Sequence, residues 1–268
     1  MTVSANPAGP SPAQVWSTGD YADVCDRMIP DLGARLVELS QVASADEVLD
    51  VAAGSGNASL PAARRGAKVT ALDITPALLE VGRRRAAAEG LEITWVEGDA
   101  QAMPFADAGF DVVLSCVGVQ FCADRGAAIK ELVRVCRPGG RIALIAWTPE
   151  GFIGQVLAAI TSAMTGGPRP GSLDWGSEDW ITETFAELAN EISFSRAQVA
   201  MPAPSAAAWV DYMATAYGPM AMARTALEAR GDWEPAREAL IRIAGAHEAG
   251  DGDGFSAEAE YLVAIVSR

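Results

Sequence analysis

The alternation of apolar and polar positions changes character twice along this 268-residue chain. From Asp20 to Leu39 the apolar residues Val24, Met28, Leu32, Leu36 and Leu39 recur every three or four positions, the spacing of one amphipathic helix. Short Val/Ile/Leu-rich runs then alternate with helical stretches: EVLDVA (47–52), a helix near 57–65, KVTALD (68–73), a helix near 76–89, LEITWVEG (91–98), DVVLSC (111–116), a helix near 124–136 and RIALIAW (141–147). Such a series predicts parallel strands joined by right-handed helical crossovers, with helices on both faces of the sheet. Arg137-Pro138-Gly139-Gly140 separates the last of these helices from its strand.

After Trp147 the regularity is lost. Helices are expected near 152–164 and 178–190, on either side of the Gly/Pro-rich GGPRPGS (166–172), and FSRAQVAM (194–201) reads as a strand. Three helices fill 202–250, and AEYLVAIVSR (259–268) closes the chain as a further strand. The predicted architecture is therefore α/β: a seven-stranded, mainly parallel sheet with helices on both faces and a helical lid. Residues 16–201 with 257–268 form the core, 202–256 the lid, and the Pro/Ala/Ser-rich residues 1–15 a mobile leader.

Composition narrows the function. Half the residues are hydrophobic, enough for a sizeable core, and 35 acidic against 20 basic side chains leave a formal charge of −15, which repels nucleic acid and anionic lipid surfaces. Arg83 to Arg85 lie on an expected surface helix, where they serve to solvate it. The four cysteines form no CxxC pair and there is one histidine, so no structural metal is expected. The opening residues have neither a basic start nor an apolar run, and no segment has eighteen consecutive apolar residues. A cytoplasmic protein, monomeric or homodimeric, with a small-molecule substrate and no membrane insertion is the expectation.

The strongest chemical signal is Asp50-Val51-Ala52-Ala53-Gly54-Ser55-Gly56, a buried strand running into a Gly-rich turn and then a helix. Glycines let the backbone approach a ligand closely, and the next helix offers free N–H groups to a carboxylate or phosphate. A tight bend alone would ask for the same glycines. Asp73, nineteen positions beyond Gly54 at the end of the second strand, is placed to accept from ribose hydroxyls, provided that Thr75 rather than Asp73 caps the helix starting at Pro76. After the third strand, Asp99 and the Ala100 N–H face the same crevice, where a carboxylate can accept from an adenine amino group. A dinucleotide fingerprint would need glycine where Ser59 stands, which argues against a nicotinamide cofactor.

DVAAGSG, ALDIT, EGDAQAMPF, FDVVLSCVGVQF and ELVRVCRPGGRIALIAW, in this order across about residues 45–150, resemble the motifs of the class I S-adenosylmethionine-dependent methyltransferases, most closely the UbiE-like branch of ubiquinone/menaquinone biosynthesis. The resemblance implies a Rossmann-like fold, S-adenosyl-L-methionine as cofactor and S-adenosyl-L-homocysteine as product. It further implies cofactor contacts from Asp50, Ala52, Gly54, Ser55, Gly56, Asp73, Ile74, Asp99, Ala100, Gln101, Ser115, Cys116 and Val117. Ala52 departs from the glycine more usual in the family. Trp16 and Tyr21 resemble a segment that folds over the cofactor, or else anchor the first helix.

Methyl transfer from a sulfonium mainly needs alignment and the exclusion of water, so catalytic residues can be few. His247, the sole histidine, is either a base or a partner of its helix's C-terminal dipole, and Tyr217 and Asp211 are further candidate bases. Gln120, Phe121, Trp209, Tyr212 and Met213 are the expected substrate contacts, although Trp209, Met213 and Tyr217 share a helical face that packing alone would also explain. The implied reaction is O-, N- or C-methylation of a small hydrophobic or aromatic metabolite. The alternatives are a cofactor-binding protein without catalysis and a nicotinamide-dependent oxidoreductase.

Overall fold

A computed structural model describes residues 10–167, 173–250 and 254–268; the first nine residues of the expected leader and most of GGPRPGS lie outside the described residues. Seven strands, β1 (Glu47–Val51), β2 (Lys68–Asp73), β3 (Ile93–Glu97), β4 (Phe110–Cys116), β5 (Cys136–Trp147), β6 (Glu191–Ala203) and β7 (Phe255–Ser267), form one sheet in the order β3-β2-β1-β4-β5-β7-β6. The first five are parallel, and β7 runs antiparallel to both β5 and β6. Strand order reverses between β1 and β4, which opens a crevice at their carboxyl ends.

Alternate residues of the central strands feed two cores, as the pleat requires. Val48, Val112, Leu114, Ala143 and Ile145 face one layer. It contains α2 (Tyr21–Met28), α3 (Leu32–Leu39), α4 (Ser59–Arg64) and α7 (Phe152–Thr165). Leu49, Val113, Ile142 and Leu144 face the other, with α6 (Arg125–Val135) and α8 (Glu178–Phe185). The helix after β2, α5 (Pro76–Glu89), ends at Gly90 in the left-handed region.

The expected single helix over 20–39 is two helices, because Pro30 has no N–H to donate and breaks the run between Met28 and Leu32. Inside the stretch expected to be mobile, α1 (Pro12–Trp16) is set by a capping box in which Ser11 accepts from the Gln14 N–H and Gln14 accepts from the Ser11 N–H. The helix expected to reach 190 stops at Phe185, since β6 starts at Glu191 to pair with β7 along its whole length. Pro138-Gly139 sits in a bulge of β5, where the register against β4 shifts.

Three helices, α9 (Ala206–Ala216), α10 (Gly218–Glu228) and α11 (Trp233–Ala246), lie between β6 and β7 and pack on α7. They also hold the N-terminal helices. The Asp20 N–H donates to the Ala216 carbonyl at 2.9 Å, and the Tyr212 hydroxyl donates to Asp23 at 2.9 Å. A Cβ on Gly19 would stand 2.4 Å from the Ala216 oxygen, and one on Gly218 2.1 Å from the Val15 oxygen, so both contacts need glycine. Among the described residues no helix is long and apolar enough to cross a membrane.

Candidate functional site

The crevice holds a cleft of about 940 Å³, its open mouth included. After Val51 the chain enters the left-handed region at Ala52 (φ 54°) and again at Gly54 (φ 56°) and Gly56 (φ 90°) before α4 begins. Ala52 carries a Cβ in a conformation that favours glycine. Opposite it, Val117 lies at φ 62°, an outlier for a β-branched residue, and it lines the cleft. Gly118 follows, and a Cβ there would collide with the Ala52 methyl at 2.5 Å. Strain is thus gathered on the two facing walls of one crevice.

Asp73 ends β2 with both oxygens engaged: Oδ2 accepts from the Gly54 N–H and Oδ1 from the Thr75 N–H, each at 2.8 Å. Burial pushes its carboxyl above the ordinary range, against these backbone donors. The expected division of labour with Thr75 is not found. Thr75 is the residue before α5, but its hydroxyl caps nothing and has no partner, and Asp73 itself tethers the turn. Asp50, buried at the end of β1, accepts from the Ser59 hydroxyl at 2.6 Å through Oδ2, while its Oδ1 is buried without a partner. Burial, with Asp73 nearby, lifts the Asp50 carboxyl to about 7 despite the Ser59 hydrogen bonds. Asp99 accepts from the Gln101 backbone and side chain at 2.8 and 2.9 Å, closing a loop whose Gln101 Oε1 in turn accepts from the Asp124 N–H.

Of the expected cofactor contacts, Trp16, Tyr21, Asp50, Ala52, Gly54, Ser55, Asp73, Ile74, Asp99, Ala100, Gln101, Cys116 and Val117 line this cleft, and Gly56 and Ser115 do not. Gly56 makes room for the Trp95 ring, which a Cβ would meet at 2.8 Å. The Ser115 hydroxyl donates to the Val51 carbonyl at 2.8 Å and accepts from the Val119 N–H at 3.0 Å, so it pins the loop after β4 from behind. Cys25, Asn57 and Cys122 line the cleft without having been expected there; only the fold brings them to it. Burial pushes the Cys25 and Cys122 thiols up to about 12 and Cys116 upward as well, so all three are neutral at physiological pH and weak nucleophiles.

Arg85 is not the solvated surface cation the sequence suggested. Its side chain is 23% exposed and reaches Ser55 Oγ at 3.2 Å and Asp26 at 2.5 Å, tying the Gly-rich turn to α2.

A second cavity of about 480 Å³, mouth included, shares Tyr21, Val117 and Phe121 with the cleft and continues beneath α9 and α10. Met28, Ile153, Met201, Trp209, Met213 and Met220 give it an apolar wall, and no charged residue lines it. Phe121, Trp209 and Met213 therefore stand where a substrate contact was expected, and Tyr217 lines the same cavity. Gln120 does not: it is buried, donating to the Val117 carbonyl at 3.1 Å and accepting from the Trp147 N–H at 3.2 Å. Tyr212 points instead to Asp23, and Asp211 pairs with Arg237 at 2.6 Å on the surface. His247 stands at the C-cap of α11 with its ring 5.6 Å from Phe152 and lines neither cavity. Burial pushes the Tyr217 hydroxyl up from its ordinary value, which keeps its proton on at neutral pH.

A methyltransferase-domain model matches residues 49–144, the segment that builds the cleft. The chain is 46% identical over 185 residues to the uncharacterized protein Rv1403c of Mycobacterium tuberculosis, covering 68% of each. It is 39% identical over 126 residues to a demethylmenaquinone methyltransferase of Thermus thermophilus, covering 46% of this chain and 57% of that one. The solved YcgJ protein of Bacillus subtilis shares the fold, with a TM-score of 0.61 at 18% identity over 88% of this chain and 97% of the other. With the Gly-rich turn, the strand-end acids and the sheet order in place, the chain belongs to the class I S-adenosylmethionine-dependent methyltransferases.

Proposed function

We propose that this protein methylates a small, uncharged, largely hydrocarbon or aromatic metabolite held in the second cavity, under a lid formed by α9 to α11. The observation that carries this reading is the apolar, charge-free cavity joined to the cofactor cleft at Tyr21, Val117 and Phe121. A phosphate or carboxylate on the acceptor would ask for a cation that the lining lacks. Trp209 and Met213 are the proposed acceptor contacts on the lid side.

The cleft's residues fit the cofactor. Asp50 Oδ1, buried and without a partner, suits the cationic amino group of the methionine end, and the left-handed turn at Gly54 gives the backbone close access. Asp73 takes the ribose hydroxyls on lone pairs that Gly54 and Thr75 leave free, and Asp99 with the Ala100 N–H takes the adenine edge. The cofactor supplies an activated methyl group on a positively charged sulfur. Three carboxylates and no basic side chain line the cleft, which suits the amino group and hydroxyls of this cofactor and opposes the pyrophosphate of a nicotinamide dinucleotide. A protein that only bound the cofactor would have no use for an apolar chamber beside it. Demethylmenaquinone methylation by the Thermus relative supports placing the chain near the UbiE-like branch.

What the chain does is align and exclude water. The acceptor cavity is lined by no charged side chain, so the acceptor atom attacks as it stands and any proton it carries is released to bulk solvent as the product leaves. Incubation with methyl-labelled cofactor and a panel of apolar phenols, quinols and hydroxylated lipids, alongside amino acids and nucleotides, tests this. Label is expected in an apolar acceptor, and to be lost in Met220→Asp with cofactor binding retained. Label found only in charged acceptors would sink the proposal.

A further inference from the structure

Four aromatic rings meet where the two cavities join. Trp16, from α1, lies 5.2 Å from Tyr21, 5.0 Å from Phe121 and 5.7 Å from Tyr217, centroid to centroid, and Tyr21 and Tyr217 are 6.1 Å apart. Trp16 lines the cofactor cleft, Tyr217 the acceptor cavity, and Tyr21 and Phe121 line both. They come from three separate parts of the chain, the N-terminal helices, the turn after β4 and the junction of α9 and α10, and they pack at the edge of one hydrophobic core. Tyr21, Val117 and Phe121 form the wall that cleft and cavity have in common.

The cleft's carboxylates, Asp50 and Asp73 at the ends of β1 and β2 and Asp99 after β3, do not line the acceptor cavity, which has no charged lining. At the boundary of the two cavities these rings, whose faces carry negative quadrupoles, offer a cation an attraction that aliphatic side chains would not. We propose that Trp16, Tyr21, Phe121 and Tyr217 hold the positive charge of the methylated sulfur and thereby distinguish S-adenosylmethionine from its neutral demethylated product. This rests on the cofactor reading above. As the acceptor's lone pair forms the new bond to the methyl carbon, the carbon–sulfur bond breaks with its electron pair left on sulfur, and any acceptor proton goes to water. The sulfur ends as a neutral thioether, the rings lose their attraction for it, and the product leaves more easily.

Titration calorimetry with S-adenosylmethionine and S-adenosylhomocysteine, without any acceptor, tests the rings on the full chain. Trp16→Leu and Tyr217→Leu are each expected to shift the ratio of the two affinities toward the neutral product by about threefold or more, the size of a desolvated cation–π contact. Tyr217→Phe, which keeps the ring, should keep the wild-type ratio. Should loss of Trp16 unfold α1, as circular dichroism would reveal, Phe121→Leu on the opposite wall reads the same quantity. Affinities for both ligands falling in equal proportion would overturn the proposal, because rings that only pack cannot sense charge. A shift in Tyr217→Phe as large as in Tyr217→Leu would overturn it too, since the hydroxyl and not the ring would then be responsible. Failure of the acceptor screen leaves this ratio readable; a wild type that binds neither ligand overturns both proposals.

Discussion

Ala52 and Asp50 show how closely the Gly-rich turn is set. Ala52 holds a left-handed conformation that costs an L-residue about 1–2 kcal/mol, part of which a glycine would give back in unfolded-state entropy. Ala52→Gly is therefore expected to stabilise the protein by up to about 1 kcal/mol, read as a rise of about 2 °C in melting temperature. A fall would mean that the methyl contact with Gly118 outweighs the strain. Asp50 gives a pH dependence whose sign follows from its raised carboxyl: the folded state holds the proton more tightly than the unfolded one between about 4 and 7. Its contribution to stability is full on the acid side of that window and is lost as pH rises through about 7. Melting curves of wild type and Asp50→Asn from about pH 4 to 8.5 should lie closest at the acid end, separate in the variant's favour as pH rises toward about 7, and keep a constant gap above it. A constant difference across the range would refute this. At this scale the turn, Asp73 and Asp99 were legible because each sits in a short contiguous motif. Arg85 was not, because its partners Ser55 and Asp26 lie 30 and 59 positions away.

Helix and strand positions were legible wherever hydrophobic period alone decided them. They failed where one residue or a distant partner overrode the period: Pro30 split a helix, and the β6–β7 ladder shortened α8. The docking of α1 and α2 on the lid helices was invisible in sequence, since nothing local marks Gly19 and Gly218 and only the fold brings backbone against both. Gly19→Ala combines a left-handed conformation (φ 77°) with a collision against Ala216 and is expected to cost about 2 kcal/mol or more. Limited proteolysis should then cut α1 and α2 before the sheet. Equal protease resistance in variant and wild type would show that the N-terminal helices are held by other means.

For the molecule as a whole, strand alternation and motif order pointed to the sheet, its helical layers and the cleft, because those depend on short-range pattern. The acceptor side depends on helices that carry no motif: its aromatic and Met residues hinted at an apolar pocket, but only the fold shows that α2, α7, α9 and α10 enclose one space. The β6–β7 ladder, paired from Glu191 opposite Ser267 to Ala203 opposite Phe255, brings the two ends of the α9–α11 excursion together on neighbouring strands. An excursion that leaves and returns at one doorway can be exchanged in evolution without disturbing the strands that carry the cofactor. Because Gly19 and Gly218 lock it to α1 and α2, the inherited unit is a pair of distant segments, and a new acceptor preference would arise by drift in both at once.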